Sequence, residues 1–193
     1  ALWQSLRAIW RHQPVVVVGL GGYVTGPGGV AARLAGKPLV IHEQNAVAGF
    51  TNRMLAKVAT RVLEGFEGGF AASVGAIAVG NPVRDAFFSL PVPAARFAER
   101  SAAIRVLVIG GSQGAQRLNS LVPSAITQLK AEFDIVVRHQ SGERGFDQTV
   151  AAYRDSMVTA DVTAFIDDVA AAYAWADVVI CRAGALTVAE VAA

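Results

Sequence analysis

The sequence predicts a doubly wound α/β architecture, because three short runs of branched apolar residues each end in a glycine-bearing turn that opens a helical pattern. The junctions are VVVVGLGGYVTGPGG from Val15, VLVIGGSQGAQ from Val106 and VVICRAGALTVAE from Val178. Runs this short and this rich in branched side chains read as strands buried on both faces. Glycine after the strand lets backbone approach a ligand closely, and the next helix offers unpaired N–H groups and its positive dipole end to an anion. A ligand carrying a diphosphate, gripped between two α/β halves, fits all three junctions.

Taken in order, strands are expected at 14–18, 38–42, 61–63, 76–79, 104–109, 135–139, 162–165 and 177–181, with helical patterns between them. Strands alternating with helices require crossover connections and hence parallel sheets. A composition break follows Pro82, where NPVRDAFFSLPVPAARFAERS holds three prolines and no long apolar run. The expected organisation is a first domain at 1–84, a linker at 85–103 and a second domain at 104–193. Ligands of such sheets bind outside the carboxyl ends of the strands, which places the expected site in a cleft between the two domains.

At 53% hydrophobic and 17% charged, the chain can bury a core and is far from a disordered composition. Its net charge of +2 gives no argument for nucleic acid, yet the charge is uneven. Residues 1–84 carry eight Lys/Arg against three acids, whereas 85–193 carry nine against twelve. A basic half suits an anionic surface, and a solvated basic face explains it equally. Cys181 stands alone, so no disulfide framework or thiolate cage is expected, in keeping with a reducing compartment. No segment reaches the roughly twenty apolar residues of a membrane span. In the opening helical pattern, Leu2, Leu6, Ile9 and Trp10 recur at helical spacing with Trp3 beside them, which suits packing on the domain or dipping toward lipid. Because the chain opens inside one helical pattern and stops in another, it is expected to be an internal piece with both domains incomplete.

The motifs GGYVTGPGG, IHEQNAVAGFTNRMLA, GNPVR, GGSQGAQRLN, HQSGE and FIDDVAAAYAWADVVICRAGALTVAE occur in that order across nearly the whole chain. Together they resemble the MurG family of peptidoglycan glycosyltransferases. These enzymes move N-acetylglucosamine from UDP-N-acetylglucosamine (UDP-GlcNAc) onto the 4-hydroxyl of the N-acetylmuramoyl group of lipid I, giving lipid II. The resemblance implies a GT-B fold of two Rossmann-like domains, with the donor held mainly by the second and the acceptor by the first. It implies an inverting displacement without cofactor or metal. The implied location is peripheral, on the cytoplasmic face of the bacterial membrane, with an anionic membrane surface and other cell-wall synthesis proteins as partners.

For the donor, the amides opening the helix at Ala185, Leu186 and Thr187, continued by Val188 and Ala189, would face the diphosphate. Glu190 lies one turn further on. Thr187 and Glu190 also have capping-box spacing, so the residues alone leave a cap open; the resemblance implies ribose binding. It likewise implies that Ile166 reads the uracil edge through its backbone, that Ser112 meets the diphosphate, that Arg84 contacts the donor and that Asn45 binds the donor sugar. Without the motif, Arg84 reads as a surface arginine opening a linker. Asp167 and Asp168 read as an N-cap and a first-turn acid.

For the acceptor, the GGYVTGPGG loop, with Gly21, Gly22, Tyr23 and the hydroxyl of Thr25, should cradle a diphosphate. It is no dinucleotide fingerprint, since the third glycine position falls at Val24. His42, beside Glu43, is placed with the acceptor. As an acid or base it is a weak choice, because a histidine at a strand end is more often a structural hydrogen bonder. The catalytic base is unassigned, since the family's usual histidine belongs to a glycine-rich loop outside this sequence, and the 193 residues alone are not expected to turn over. His139 reads as a strand end without chemistry, and Tyr153, Tyr173 and Trp175 read as packing residues. The competing readings are a UDP-sugar epimerase of the same architecture, an inactive nucleotide-sugar-binding fragment and, disfavoured by the broken fingerprint, a Rossmann oxidoreductase.

Overall fold

The computed structural model describes residues 1–98, 100, 103–111 and 114–193. The chain divides into two compact units, Ala1–Val83 with Gly184–Ala192, and Arg84–Ala183 with Ala193. Each unit holds a four-stranded parallel sheet.

In the first unit the order is α1 (Leu2–His12), β1 (Val17–Gly19), α2 (Gly22–Leu34), β2 (Leu39–Glu43), α3 (Phe50–Ala56), β3 (Arg61–Glu64) and β4 (Ile77–Ala78). The sheet runs β1-β2-β3-β4. Leu39 and Ile41 of β2 are fully buried among Leu55, Val62 and Phe70, as expected of an interior parallel strand. On α1, Ile9 and Leu6 pack against Ala31 and Ala32 of α2. Small alanines on α2 let the two helices approach closely. Beside that packed face, Trp3 and Trp10 remain in solvent, 67% and 51% exposed, their rings edge to face with centroids 5.7 Å apart.

The second unit contains α4 (Asp85–Phe88), α5 (Pro93–Phe97), β5 (Ile104–Ile109), α6 (Gln116–Leu129), β6 (Ile135–Gln140), α7 (Phe146–Asp155), β7 (Ala160–Thr163), α8 (Val169–Trp175) and β8 (Val178–Cys181). Its sheet order, β7-β6-β5-β8, reverses direction at β5. The reversal creates a switch point between the carboxyl ends of β5 and β8, the position where such sheets bind ligands. Val106, Val108, Ile135 and Val137 form the centre of the core with Val122, Ile126 and Tyr153. Arg96 and Arg100 hold the end of α8. Arg96 Nη1 donates to the Tyr173 carbonyl (3.2 Å), Arg100 Nη2 donates to the Ala174 carbonyl (2.7 Å), and Arg100 pairs with Asp177.

Three expectations need correction. The strand expected at 14–18 begins at Val17, because Val15 stands 85% exposed and pairing starts where the Val17 N–H donates to the Pro38 carbonyl (2.9 Å). The strand expected at 162–165 is Ala160–Thr163, since its pairing with β6 begins at Ala160, and Phe165 is solvent-exposed. The expected loop GGYVTGPGG is the opening of α2. Only Gly21 and Gly22 form the turn, both at positive φ, and the Thr25 hydroxyl donates to the Gly21 carbonyl one turn back.

Candidate functional site

In the first unit, β2 ends in Glu43, a carboxylate only 3% exposed. Four N–H groups converge on it. Oε1 accepts from the Asn45 backbone (3.0 Å) and from Asn45 Nδ2 (2.9 Å), while Oε2 accepts from the Gly49 backbone (3.0 Å) and from Asn52 Nδ2 (2.9 Å). Burial raises the pKa of such a group, but donation from Asn45, Gly49 and Asn52 outweighs it and leaves the Glu43 carboxyl below its ordinary value. The neighbouring strand end repeats the device. Glu64, paired with Glu43 in register, accepts from the backbones of Gly68 (3.1 Å) and Phe70 (3.2 Å). The two turns are tied together by the Ala48 N–H and the Gly69 carbonyl (2.9 Å).

His42 is buried with both ring nitrogens engaged. Its Nε2 lies 2.9 Å from the Gly80 carbonyl, to which it donates, and Nδ1 lies 3.2 Å from Gln44 Nε2. Tyr23, by contrast, is 89% exposed beside the turn of Gly21 and Gly22.

A cavity of about 540 Å³ opens beside Asn45, lined by Leu20, Gln44 and Pro82 and by Gly184, Ala185, Leu186 and Thr187. The last four form the start of α9 (Ala185–Ala192), where the Val188 N–H already reaches the Gly184 carbonyl (2.9 Å). The N–H groups of Ala185, Leu186 and Thr187 precede that first helical bond and are the orphan donors of the helix opening. Thr187 lies inside the helix, so the capping-box alternative, which needs it as N-cap, is ruled out. Val188, Ala189 and Glu190 follow on the same helix. Asn81 Nδ2 donates to the carbonyls of Gln44 (3.0 Å) and Ala185 (3.4 Å), fastening the cavity's two sides.

The cavity thus brings together Asn45, Ala185, Leu186 and Thr187 and adds Leu20, Gln44, Pro82 and Gly184, with Asn81 tying its sides. The sequence does not single out these five as site residues, although Asn81 and Pro82 stand inside the GNPVR motif.

In the second unit, the turn after β5 is stitched to β6. The Gly110 N–H donates to the Gln140 carbonyl (3.1 Å) and the Gly111 N–H to Gln140 Oε1 (3.2 Å). Gly114 adopts φ +71°, and a Cβ there would stand 2.4 Å from the Ser141 carbonyl oxygen. Ser112 and Gln113 lie outside the described residues. Arg84 precedes α4 with its guanidinium 5.2 Å over the Phe87 ring. Ile166 sits half-buried in the connection from β7 to α8. Asp168, expected in the first turn of α8, is instead its N-cap, accepting from the Ala171 N–H (2.9 Å), and Asp167, expected as the cap, stands one residue before it.

His139 proves to be the centre of a buried polar network. Asn119 Nδ2 donates to the Ser141 carbonyl (2.9 Å), which turns Asn119 Oδ1 toward His139 Nε2–H (3.0 Å). The Tyr153 hydroxyl then donates to Nδ1 (2.9 Å). Burial pushes His139 down to about 4 and the Tyr153 phenol up. The network binds α6, β6 and α7 beneath the β5 turn. Among the described residues, no group of three His, Cys, Asp or Glu side chains is arranged to hold a metal ion.

Comparison with known proteins agrees with these features. Residues 1–64 match the glycosyltransferase family 28 N-terminal domain, and residues 105–193 match the family 28 C-terminal domain. The chain is 52% identical over its whole length to a UDP-N-acetylglucosamine:N-acetylmuramyl-(pentapeptide) pyrophosphoryl-undecaprenol N-acetylglucosamine transferase of Histophilus somni, covering 54% of that protein. The transferase of the same name from Alkalilimnicola ehrlichii is 54% identical, again with all of this chain and 54% of the relative covered. The chain therefore spans about half the length of the curated relatives it matches. The crystal structure of Acinetobacter baumannii MurG superposes with a TM-score of 0.79 at 43% identity, covering all of this chain and 53% of that one. A Staphylococcus aureus MnaA–UDP structure shares the fold alone, with a TM-score of 0.57 at 13% identity. Two Rossmann-like parallel sheets, each strand-end turn opening a helix, and matches to both domain models lead to one conclusion: the chain belongs to glycosyltransferase family 28, as a piece of its GT-B architecture.

Proposed function

We propose that the intact protein carrying this chain transfers N-acetylglucosamine from UDP-GlcNAc to the N-acetylmuramoyl 4-hydroxyl of lipid I with inversion. The observation that supports it most is the cavity beside Asn45 with the open N-terminus of α9 in its wall. In this reading, the amides of Ala185, Leu186 and Thr187 stabilise the diphosphate as UDP leaves. Negative charge grows there as the glycosidic bond breaks, and preorganised N–H donors meet it without reorganisation. Arg84 and Ser112 add donors to the diphosphate, Glu190 accepts from the ribose hydroxyls, the Ile166 backbone reads uracil, and Asn45 holds the sugar. Gly21, Gly22, Tyr23 and Thr25 serve the acceptor side with His42, and the base that deprotonates the attacking hydroxyl is unassigned.

The protein works in this reading at the cytoplasmic face of the membrane. No helix among the described residues is long and apolar enough to cross a bilayer. The first unit exposes Trp3 and Trp10 on α1, and an apolar hollow formed by Val30, Leu34 and Val58 with Arg33 and Lys57 at its rim. Apolar side chains beside cations are the composition that attaches to anionic lipid.

The test is transfer of labelled N-acetylglucosamine by the intact enzyme. Label should move to lipid I and should stay in the nucleotide sugar when lipid I is omitted. Conversion of UDP-GlcNAc to another UDP-sugar without acceptor would instead favour an epimerase.

A further inference from the structure

We infer that Glu43 fixes the side chain of Asn45 as a hydrogen-bond acceptor toward the donor sugar, so that the site selects a sugar hydroxyl that gives its proton. The inference rests on the proposed function and adds to it a positioning residue and the polarity of the contact. An asparagine amide normally offers either end to a ligand, since it carries both donor and acceptor atoms. Here that freedom is removed. Ionised Glu43 can only accept, and its Oε1 already takes both the Asn45 backbone N–H (3.0 Å) and Nδ2 (2.9 Å). Reversing the amide would set Asn45 Oδ1 against a carboxylate oxygen. Its Oδ1 therefore stays turned from Glu43 on a residue that is solvent-exposed and lines the cavity.

Glu43 cannot turn away, because Gly49 and Asn52 hold its other oxygen at 3.0 and 2.9 Å. The loop it clasps is fixed from the far side as well, by Ala48 donating to Gly69 in the turn held by Glu64. Replacing Glu43 by glutamine exchanges one acceptor oxygen for an N–H₂ group. Whichever way the new amide lies, one pair of inward N–H donors meets another donor: on one side Asn45 loses its acceptor, and on the other Gly49 and Asn52 no longer hold the side chain that anchors it.

The experiment is equilibrium binding to the intact enzyme of UDP, UDP-GlcNAc and analogues in which each sugar hydroxyl in turn is replaced by hydrogen or fluorine. Covalent fluorine accepts weakly but brings no proton. At one hydroxyl position, both the deoxy and the fluoro analogue should bind about tenfold weaker than the parent. Glu43→Gln and Asn45→Ala should bind UDP as the native enzyme does and lose that discrimination. Asn45 is exposed, so Asn45→Ala carries the test even if Glu43→Gln folds poorly. Parent-like affinity of every fluoro analogue, discrimination intact in Glu43→Gln, or no sensitive hydroxyl would each overturn the inference while leaving the transferase reading in place. No saturable binding of UDP-GlcNAc would remove both.

Discussion

Asn45 reaches Glu43 twice, through its backbone N–H at 3.0 Å and its side-chain Nδ2 at 2.9 Å, and both land on the same carboxylate oxygen. A buried charge answered only by neutral N–H groups ties fold and site to one residue. Glu43→Gln should cost about 2 kcal/mol of stability, because hydrogen bonds to a charged group are replaced by a donor clash. Denaturant unfolding of the two proteins at neutral pH measures it. Since the folded carboxyl lies below its ordinary value, its contribution is present above about 4.5 and fades as pH falls through the folded pKa. The gap between native protein and variant should therefore narrow in acid.

His139 gives a second window of pH dependence. Its folded pKa of about 4 is below the ordinary 6.5, so the unfolded chain binds a proton that the native one refuses. Stability from this residue is complete above 6.5 and falls by about 1.4 kcal/mol per pH unit toward 4. Tyr153→Phe should cost about 1–3 kcal/mol by leaving Nδ1 without its donor. Thermal unfolding across pH 4–7 checks both, and a flat profile in that range would contradict the buried network.

Gly114→Ala should damage donor binding more than the fold. Positive φ and the Ser141 carbonyl leave no room for a methyl group, so the β5 turn must shift, at about 1–3 kcal/mol. UDP titration should show weaker binding by an order of magnitude or more, with unchanged far-UV circular dichroism.

Replacing Trp3 and Trp10 with serine should leave stability within about 0.5 kcal/mol per substitution, because both rings face solvent. Co-flotation of the intact enzyme with anionic vesicles should fall, and should fall further at high salt. Unchanged flotation would place the lipid contact elsewhere.

Much of this was legible in the chain. Five branched residues in Ile104–Ile109, interrupted only by Arg105, give β5 its full extent, and Val106, Leu107 and Val108 are buried on whichever face they point to. GGYVTGPGG misled because glycine and proline read as a loop. Pro27, however, stands at the sixth residue of α2, inside the helix, where it leaves the Tyr23 carbonyl without its helical N–H partner. The HEQN motif points to Asn45 but not to the clasp on it, because nothing in HEQN tells whether the glutamate points inward. That depends on β2 ending at Glu43, where the strand's alternation turns the side chain into the loop. Thr187 and Glu190 matched a capping box by spacing alone, and two further helical residues ahead of Thr187 decided the matter. Asn81 joins segments 104 residues apart, a contact that local pattern does not encode.

The account turns on the opening of α9 as the seat of the nucleotide, and titration of UDP into the intact enzyme and its Glu190→Ala variant tests that most directly. Saturable binding that weakens at least about tenfold in the variant is the predicted result. Equal UDP affinity in the two proteins, or no binding to the native enzyme, would contradict it.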